Sequence, residues 1–483
     1  MSVKRGEQEK YGKRMALAIV IIAAIIGQIA AVGYRTSPNV HVKEQIISTR
    51  DVGDPLFLTK YIASGDFETA KNLSKTGLLP NAPEVLSYSG FITVNRWFQS
   101  NIFFWFFPSL NKDTKAPILL WLQGGPGISG LFGFFVENGP YVLDANMNAK
   151  IRDHNWAENF QIIYVDNPVG TGFSFTEDSK GYVRNQEEMA EDMYEFLQQF
   201  FTLFSEYQNN DFYITGESYA GKYIPALAYK IHTMGSDSKI KLTGVAIGNG
   251  MCDPETMMDY GTYLYNIGLV DEKQANEMKN LSYSIVNHIR EEEYFDAVVE
   301  MDKLIISFSI LPYTSLFKNF TDMDFYYNYL ISETPKDFAY FSDYVNTPQF
   351  RWALHVGDFP FQNGKLVQKY LLLDIMKSVK PQVAVIMDNY RVMFYNGQLD
   401  IIIPYPLTLN FLKTVKWKYA EEYKQSKRHI WRLKDSKEIA GYVHDVGDFY
   451  EILVRNAGHI LPYDKPKVAF DLISRFVNKI PFY

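Results

Sequence analysis

Asp211-Phe212-Tyr213-Ile214-Thr215-Gly216-Glu217-Ser218-Tyr219-Ala220-Gly221 is the stretch that decides how this chain folds. It reads as an apolar strand, a sharp turn carrying a serine, and the start of a helix. A turn this tight is strained and lifts the serine oxygen clear of the sheet, the arrangement called a nucleophile elbow. Strand and helix pass close together there, so small residues must flank the serine. Gly216 stands two places before it and Ala220 two places after. The usual pattern has glycine at both places, so the alanine is a mild departure. The helix that follows carries Ile224, Leu227, Ala228 and Ile231 on one face and stops near Gly235.

Outward from the elbow, short apolar runs alternate with helical patterns. Candidate strands are Ile118–Leu122, Gln161–Val165, Phe212–Thr215, Leu242–Ile247, Arg391–Tyr395 and Tyr450–Val454. Alternation of this kind predicts an α/β fold with a mostly parallel central sheet and helices on both faces. Residues 185–207 form an amphipathic helix with Met189, Met193, Phe196, Leu197, Phe200, Leu203 and Phe204 on one stripe. Asn185 followed by Glu188 resembles a capping box at its start. A second such helix, through Phe470, Ile473, Phe476 and Val477, ends the chain. Residues 254–381 are charged and patterned mostly for helices, and are expected to form a lid inserted between two strands. The expected division is a targeting segment over 1–33, a loosely packed N-terminal extension over 34–84, a catalytic core over 85–253 and 382–483, and the lid.

The chain has 483 residues, 47% of them hydrophobic, and a formal net charge of −7. The acidic balance argues against a nucleic-acid partner, because phosphate binding needs a basic face. Lys4, Arg5, Lys10, Lys13 and Arg14 precede an uncharged apolar run from Met15 to about Gly33. This is a secretory targeting segment. Ala31 and Gly33 before Tyr34 offer a cleavage site. Uncleaved, the run is just long enough to anchor the protein in a membrane with its N-terminus in the cytoplasm; cleavage is the expectation. The body is then expected outside the cell or in a lysosomal lumen. Three acceptor triplets, at Asn72, Asn280 and Asn319, agree with that location. The single cysteine, Cys252, can form no disulfide within the chain and reads as a small buried hydrophobe. No His-Cys metal spacing is present.

Serine alone is a weak nucleophile and needs a base, which in turn needs an orienting acid. In α/β-hydrolases the chain order is Ser, then Asp or Glu, then His, each on a loop after a strand. Asp400 fits after the strand Arg391–Tyr395, and His459 fits after the strand Tyr450–Val454. His444, beside Asp445, is the nearest rival, but it lies before the last strand. One oxyanion amide should come from Tyr219, the residue after the nucleophile, and the other from an earlier loop. Trp121-Leu122-Gln123-Gly124-Gly125-Pro126-Gly127 supplies such a loop. It fails as a phosphate cradle, because no Lys-Ser or Lys-Thr follows. Asn167–Gly172 is a second Gly-rich turn and reads as structural.

With these residues in place the chain resembles the serine carboxypeptidases. The resemblance rests on Trp121–Gly127, Glu137-Asn138-Gly139-Pro140, Asp166–Ser174, Gly216–Pro225, Asn396–Asp400 and Asn456–Pro462, blocks that span the chain from about residue 85 to its end. The branch it most resembles is the animal vitellogenic-like carboxypeptidases. The resemblance implies a triad of Ser218, Asp400 and His459, oxyanion amides at Gly125 and Tyr219, and a site for the substrate's terminal carboxylate at Trp121, Gln123, Glu137 and Glu217. Two glutamates repel a carboxylate unless protons are shared, so binding should favour acidic pH. The implied reaction releases C-terminal amino acids from peptides through an acyl-enzyme, with peptide or protein C-termini as partners and no metal or organic cofactor. An acyltransferase of the same fold and a catalytically silent binding protein are the alternatives. Two departures stand out. Gln123 replaces the asparagine common in the family, and Ile128 replaces a cysteine, so the loop loses its usual disulfide and must be held by packing.

Overall fold

The apolar runs pair into one ten-stranded sheet. The structure, a computed structural model, describes residues 51–306, 314–434 and 436–483. The targeting segment and its cleavage position therefore lie outside the described residues. No helix among the described residues is long and apolar enough to cross a membrane. The strands are β1 (Tyr88–Asn95), β2 (Ser100–Phe107), β3 (Ile118–Leu122), β4 (Gln161–Val165), β5 (Phe212–Glu217), β6 (Leu242–Gly248), β7 (Arg391–Gly397), β8 (His429–Arg432), β9 (Ile439–Val446) and β10 (Phe449–Val454). Their spatial order is β1-β2-β4-β3-β5-β6-β7-β10-β9-β8.

From β4 to β10 the neighbours run parallel, and these are the six strands expected from the sequence. The structure adds an antiparallel pair at each edge, β1 with β2 and β9 with β8. Burial explains why β2 escapes a pattern search. Every residue of β2 is buried, so Ser-Asn-Ile-Phe-Phe-Trp-Phe-Phe shows no alternation of period two.

The central strands are covered on both faces. In β5 the Phe212 ring lies 5.5 Å from Phe201 of helix α1 (Gln186–Leu203). The next residue, Tyr213, points the other way and meets Phe476 of the C-terminal helix Pro466–Val477 at 5.8 Å. Asn185 caps α1 by accepting from the Glu188 amide at 2.8 Å. Glu188 answers by accepting from the Arg184 backbone amide and from the Asn185 side-chain amide rather than from the Asn185 backbone N–H, so the box expected there closes one residue early.

Residues 59–74, expected to be loosely packed, instead form helices Thr59–Ser64 and Phe67–Ser74, with Leu58 and Ala70 fully buried against the core. Between β6 and β7 the chain is largely helical, including α3 (Glu272–Arg290) and α4 (Tyr294–Met301), after the elbow helix α2 (Ala220–Met234). Strands β5 and β6 end level, Glu217 beside Gly248, as do β7 and β10, Gly397 beside Val454. The loops that follow them meet at one edge of the sheet, where open α/β folds hold their ligands.

Candidate active site

Ser218 sits at φ +61°, a left-handed conformation that costs a residue with a side chain about 1–2 kcal/mol. The surrounding backbone holds it there. Its N–H donates to Gly248 O at 2.9 Å, and its carbonyl accepts from Gly221 N at 2.9 Å and Met251 N at 3.0 Å. A Cβ on Gly216 would come within 2.1 Å of Leu122 O and 3.1 Å of the Ala220 methyl. The glycine at 216 is therefore obligatory, and because it is bare, a methyl fits at 220.

Asp400 and His459 are brought together by the ends of β7 and β10. His459 Nδ1 lies 2.7 Å from Asp400 Oδ2, with both side chains buried. Asp400 Oδ1 accepts from the amides of Ile402 and Ile403 at 2.8 and 3.2 Å. Asn249, which sequence reasoning missed, donates its side-chain amide to Asp400 Oδ2 and accepts from Gly397 N at 3.2 Å. Its position just after β6, at the same sheet edge, was the available signal. Tyr327 stacks its ring on the imidazole, with centroids 4.9 Å apart at 15°, and its carbonyl accepts the His459 amide at 2.6 Å. The imidazole is thus gripped at its backbone, one face and Nδ1. Its Nε2 is buried and makes no hydrogen bond, and none joins it to Ser218. Such contacts are commonly long before substrate binds.

Gly125, at φ +119°, and Tyr219 line one cleft with Ser218. Among the described residues neither backbone N–H donates a hydrogen bond. The rest of the cleft wall is apolar: Met251, Met301, Ile306, Ile375, Ile402 and Ile403, with Tyr326 and Tyr327. Below Tyr219, a buried network ties the elbow to the loop before Ile375. Asp374 Oδ2 receives Lys222 Nζ at 2.9 Å, Tyr219 Oη at 2.9 Å and Gln186 Nε2 at 2.6 Å.

Trp121, Gln123, Glu137 and Glu217 form one buried chain. Trp121 Nε1 donates to Gln123 Oε1 at 2.8 Å. That fixes the amide so that Gln123 Nε2 donates to Glu137 Oε1 and to Glu217 Oε1, each at 3.0 Å. Glu137 rides on a π-helical turn, Gly133–Asn138, of the kind often found at functional sites. A Cβ on Gly133 would sit 2.1 Å from the Trp121 indole nitrogen, so only glycine lets this turn press against Trp121. Both glutamates are 1% exposed. Burial pushes the Glu137 carboxyl up to about 7 against the hydrogen bond from Gln123. Glu217 is raised well above its ordinary value, by burial first and then by the charge of Glu137. The pair therefore keeps, near neutrality, protons that an exposed pair would have lost.

The remaining sequence candidates lie elsewhere. His444, in β9, meets Ser426 Oγ at 3.0 Å. Cys252 is fully buried and points its thiol at Gly221 O, and burial pushes that thiol up, as for an inert small hydrophobe. Asn167–Gly172 follows Asp166, whose carboxylate joins two loops by accepting from the Ser129 hydroxyl and from Phe173 N. Ile128, lacking a disulfide, sits in a loop closed by its N–H on Gly124 O at 3.2 Å. Asn72, Asn280 and Asn319 are exposed and lie on helices rather than on loops.

The sequence and the fold both have known counterparts. The serine carboxypeptidase family description matches residues 79–479. The human "Probable serine carboxypeptidase CPVL" is 47% identical over 431 residues, 88% of this chain and 90% of that protein. The "Venom serine carboxypeptidase" of Apis mellifera is 44% identical over 92% of this chain and 96% of its own. The "Vitellogenic carboxypeptidase" of Aedes aegypti is 43% identical over 88% and 90%. In fold the chain is similar to Kex1, titled a prohormone-processing carboxypeptidase from Saccharomyces cerevisiae, with a TM-score of 0.75 at 23% identity, over 85% of this chain and 96% of that one. With its elbow, its mostly parallel sheet and these relatives, the chain belongs to the serine carboxypeptidase family.

Proposed function

We propose that Ser218 is the nucleophile of this carboxypeptidase, His459 its general base and Asp400 the acid that orients the imidazole. Asp400 Oδ2 accepts from Nδ1, which leaves the lone pair on Nε2 to take the Ser218 proton. Ser218 Oγ attacks the carbonyl carbon of the last peptide bond. The charge that develops on the carbonyl oxygen is met by the amides of Gly125 and Tyr219. His459 then passes its proton to the leaving nitrogen, the terminal amino acid departs, and an acyl-enzyme remains. Water, deprotonated by the same imidazole, hydrolyses the ester and restores Ser218.

The observation that carries the exopeptidase reading is the buried pair Glu137 and Glu217, bridged by Gln123 and supported by Trp121. In their protonated state these carboxyls donate O–H groups to a substrate carboxylate. Glu217 is the residue immediately before Ser218. The carboxylate is therefore held within one residue of the nucleophile, and only the last peptide bond can reach it. Residues 254–381 act as a lid, bringing Met301, Ile306, Tyr326, Tyr327 and Ile375 to the cleft. The catalytic core is 85–253 with 382–483, preceded by the extension 34–84 and the targeting segment 1–33. A site that works protonated suits a lysosomal or otherwise acidified lumen, and the exposed Asn72, Asn280 and Asn319 are available to glycans on the secretory route; a mass loss on enzymatic glycan removal checks the latter.

The pH dependence has a definite sign. Below about pH 7 the Glu137 carboxyl holds its proton and donates. As pH rises through that value the pair becomes negative and repels the substrate carboxylate, so KM rises. Peptides with free and amidated C-termini, digested in acid and in mild base and read by mass spectrometry, test this. Single-residue losses should dominate in acid and fade in base through KM. Amidation should slow release by about 10²- to 10⁴-fold, the worth of two charge-assisted hydrogen bonds. Equal rates on free and amidated peptides would remove the carboxylate site.

A further inference from the structure

The turn that carries Glu137 is held from outside by one side chain. Arg152 follows the short strand Ala149–Ile151. Its Nε donates to Gly139 O at 3.0 Å, and its Nη1 to Val136 O at 3.3 Å. Its Nη2 donates to Tyr141 O at 3.2 Å and also to Phe135 O. Four carbonyls, two of them on the residues just before Glu137, converge on one guanidinium. Phe135 O and Val136 O are acceptors of the kind a helical turn leaves over at its end; Gly139 O caps the turn and Tyr141 O opens the short strand after it. A planar fork of five N–H groups can serve them together, whereas an ammonium on a flexible stem cannot.

The guanidinium also brings charge. The groups that face Glu137 are Glu217 at the end of β5, Gln123 after β3, Tyr164 on β4, Tyr395 on β7 and Arg152. Among the described residues facing it, Arg152 is the one cation. Arg152 itself faces Glu137, Tyr164 and, from the region between β6 and β7, Asp337. Its backbone bonds hold it in place whether Glu137 is charged or neutral.

We propose that Arg152 is a positioning residue for carboxylate recognition: it holds the turn that aims Glu137 and, as the one cation among the described residues facing that carboxyl, lowers the pH at which the pair stops accepting a substrate carboxylate. This rests on the role proposed above for the Glu137–Glu217 pair. Arg152 does not touch the substrate. It acts through the Phe135–Glu137 backbone and through its field.

The test is the pH profile of KM and kcat on a free-C-terminus peptide for wild type, Arg152→Gln and Arg152→Lys, with the amidated peptide run on wild type. Removing a cation beside an acid favours the acid's neutral form, so the proton is kept to higher pH. In Arg152→Gln the limb where KM rises should move upward by about half a pH unit. Its KM should also be about tenfold higher in acid, from the loosened turn, with kcat within about twofold. Arg152→Lys keeps the charge but not the fork. Its KM should rise while its limb stays at the wild-type position. A purely structural arginine would raise KM in both variants and move neither limb. A limb unmoved in Arg152→Gln, or moved as far in Arg152→Lys, overturns the proposal. If Arg152→Gln does not fold, as judged by thermal melting, Arg152→Met takes its place as the neutral variant: its limb must move upward while that of Arg152→Lys holds, and a limb unmoved in Arg152→Met overturns the proposal. Wild type cleaving the amidated peptide as fast as the free one would instead overturn the carboxylate site.

Discussion

Ser218→Ala is expected to fold as wild type does and to lose peptide turnover by about 10⁶-fold, the loss seen when a triad nucleophile is removed. The fold should survive because the elbow is held by backbone bonds to Gly248, Gly221 and Met251, none of which uses the hydroxyl. Alanine at φ +61° carries the same strain as serine. Ser218→Gly relieves it and should melt slightly higher than Ser218→Ala, because relief of about 1–2 kcal/mol exceeds the roughly 0.5–1 kcal/mol of added chain entropy. Single-turnover kinetics and labelling by a serine-reactive fluorophosphonate measure the chemical effect. A loss below tenfold, or undiminished labelling of Ser218→Ala, would place the nucleophile elsewhere.

Asp400→Asn should cost about 10⁴-fold in kcat while leaving KM near wild type. The argument follows from which atoms already surround the carboxylate. Oδ1 accepts two amides, from Ile402 and Ile403, so the asparagine must keep its carbonyl oxygen there. Its NH2 group then takes the place of Oδ2, facing His459 Nδ1 and the Asn249 amide, both of which are donors in the wild type. The imidazole can meet an NH2 group only by moving its proton from Nδ1 to Nε2. The lone pair that should receive the Ser218 proton is then gone. Asn249 can turn its amide, but it then loses the bond from Gly397 N. Raising the pH should restore little activity, because the defect is a tautomer and not a charge. A kcat within tenfold of wild type would mean that Asp400 does not orient the base.

Much of this was readable before any coordinates. Gly216, Ser218 and the apolar stripe of α2 announce the elbow because their requirements are local: a turn with no room for a Cβ, then a helix. Asp400 and His459 follow from strand order, since each comes directly after a run that can only be a buried strand. The antiparallel edges were not readable for different reasons: β2 is buried throughout and shows no period, whereas β8 is four residues long and β9 is only partly buried, with His444 and Asp445 among its apolar residues. The helices over residues 59–74 were missed because they are short and bury few side chains, Thr59 in the first and Ala70 and Ser74 in the second.

Chain order, residue type and local steric demand therefore made the fold class and the elbow legible, since a buried strand, a turn with no room for a Cβ and a helix stripe are each written within a few residues, and they named Ser218, Asp400 and His459 as the candidates of the proposed triad. Tertiary structure alone decided that Gln123 spends both its N–H groups on Glu137 and Glu217, that Asn249 joins Asp400, that Tyr327 flattens against His459 and that Arg152 gathers four carbonyls behind Glu137. The physical reason is distance along the chain. Apart from Arg152, whose strand and turn are nevertheless separate elements, most of these contacts join segments about 100 residues or more apart. At that separation spacing in sequence says nothing about direction in space, and only the packing of the sheet and the helices around it turns each donor toward its acceptor.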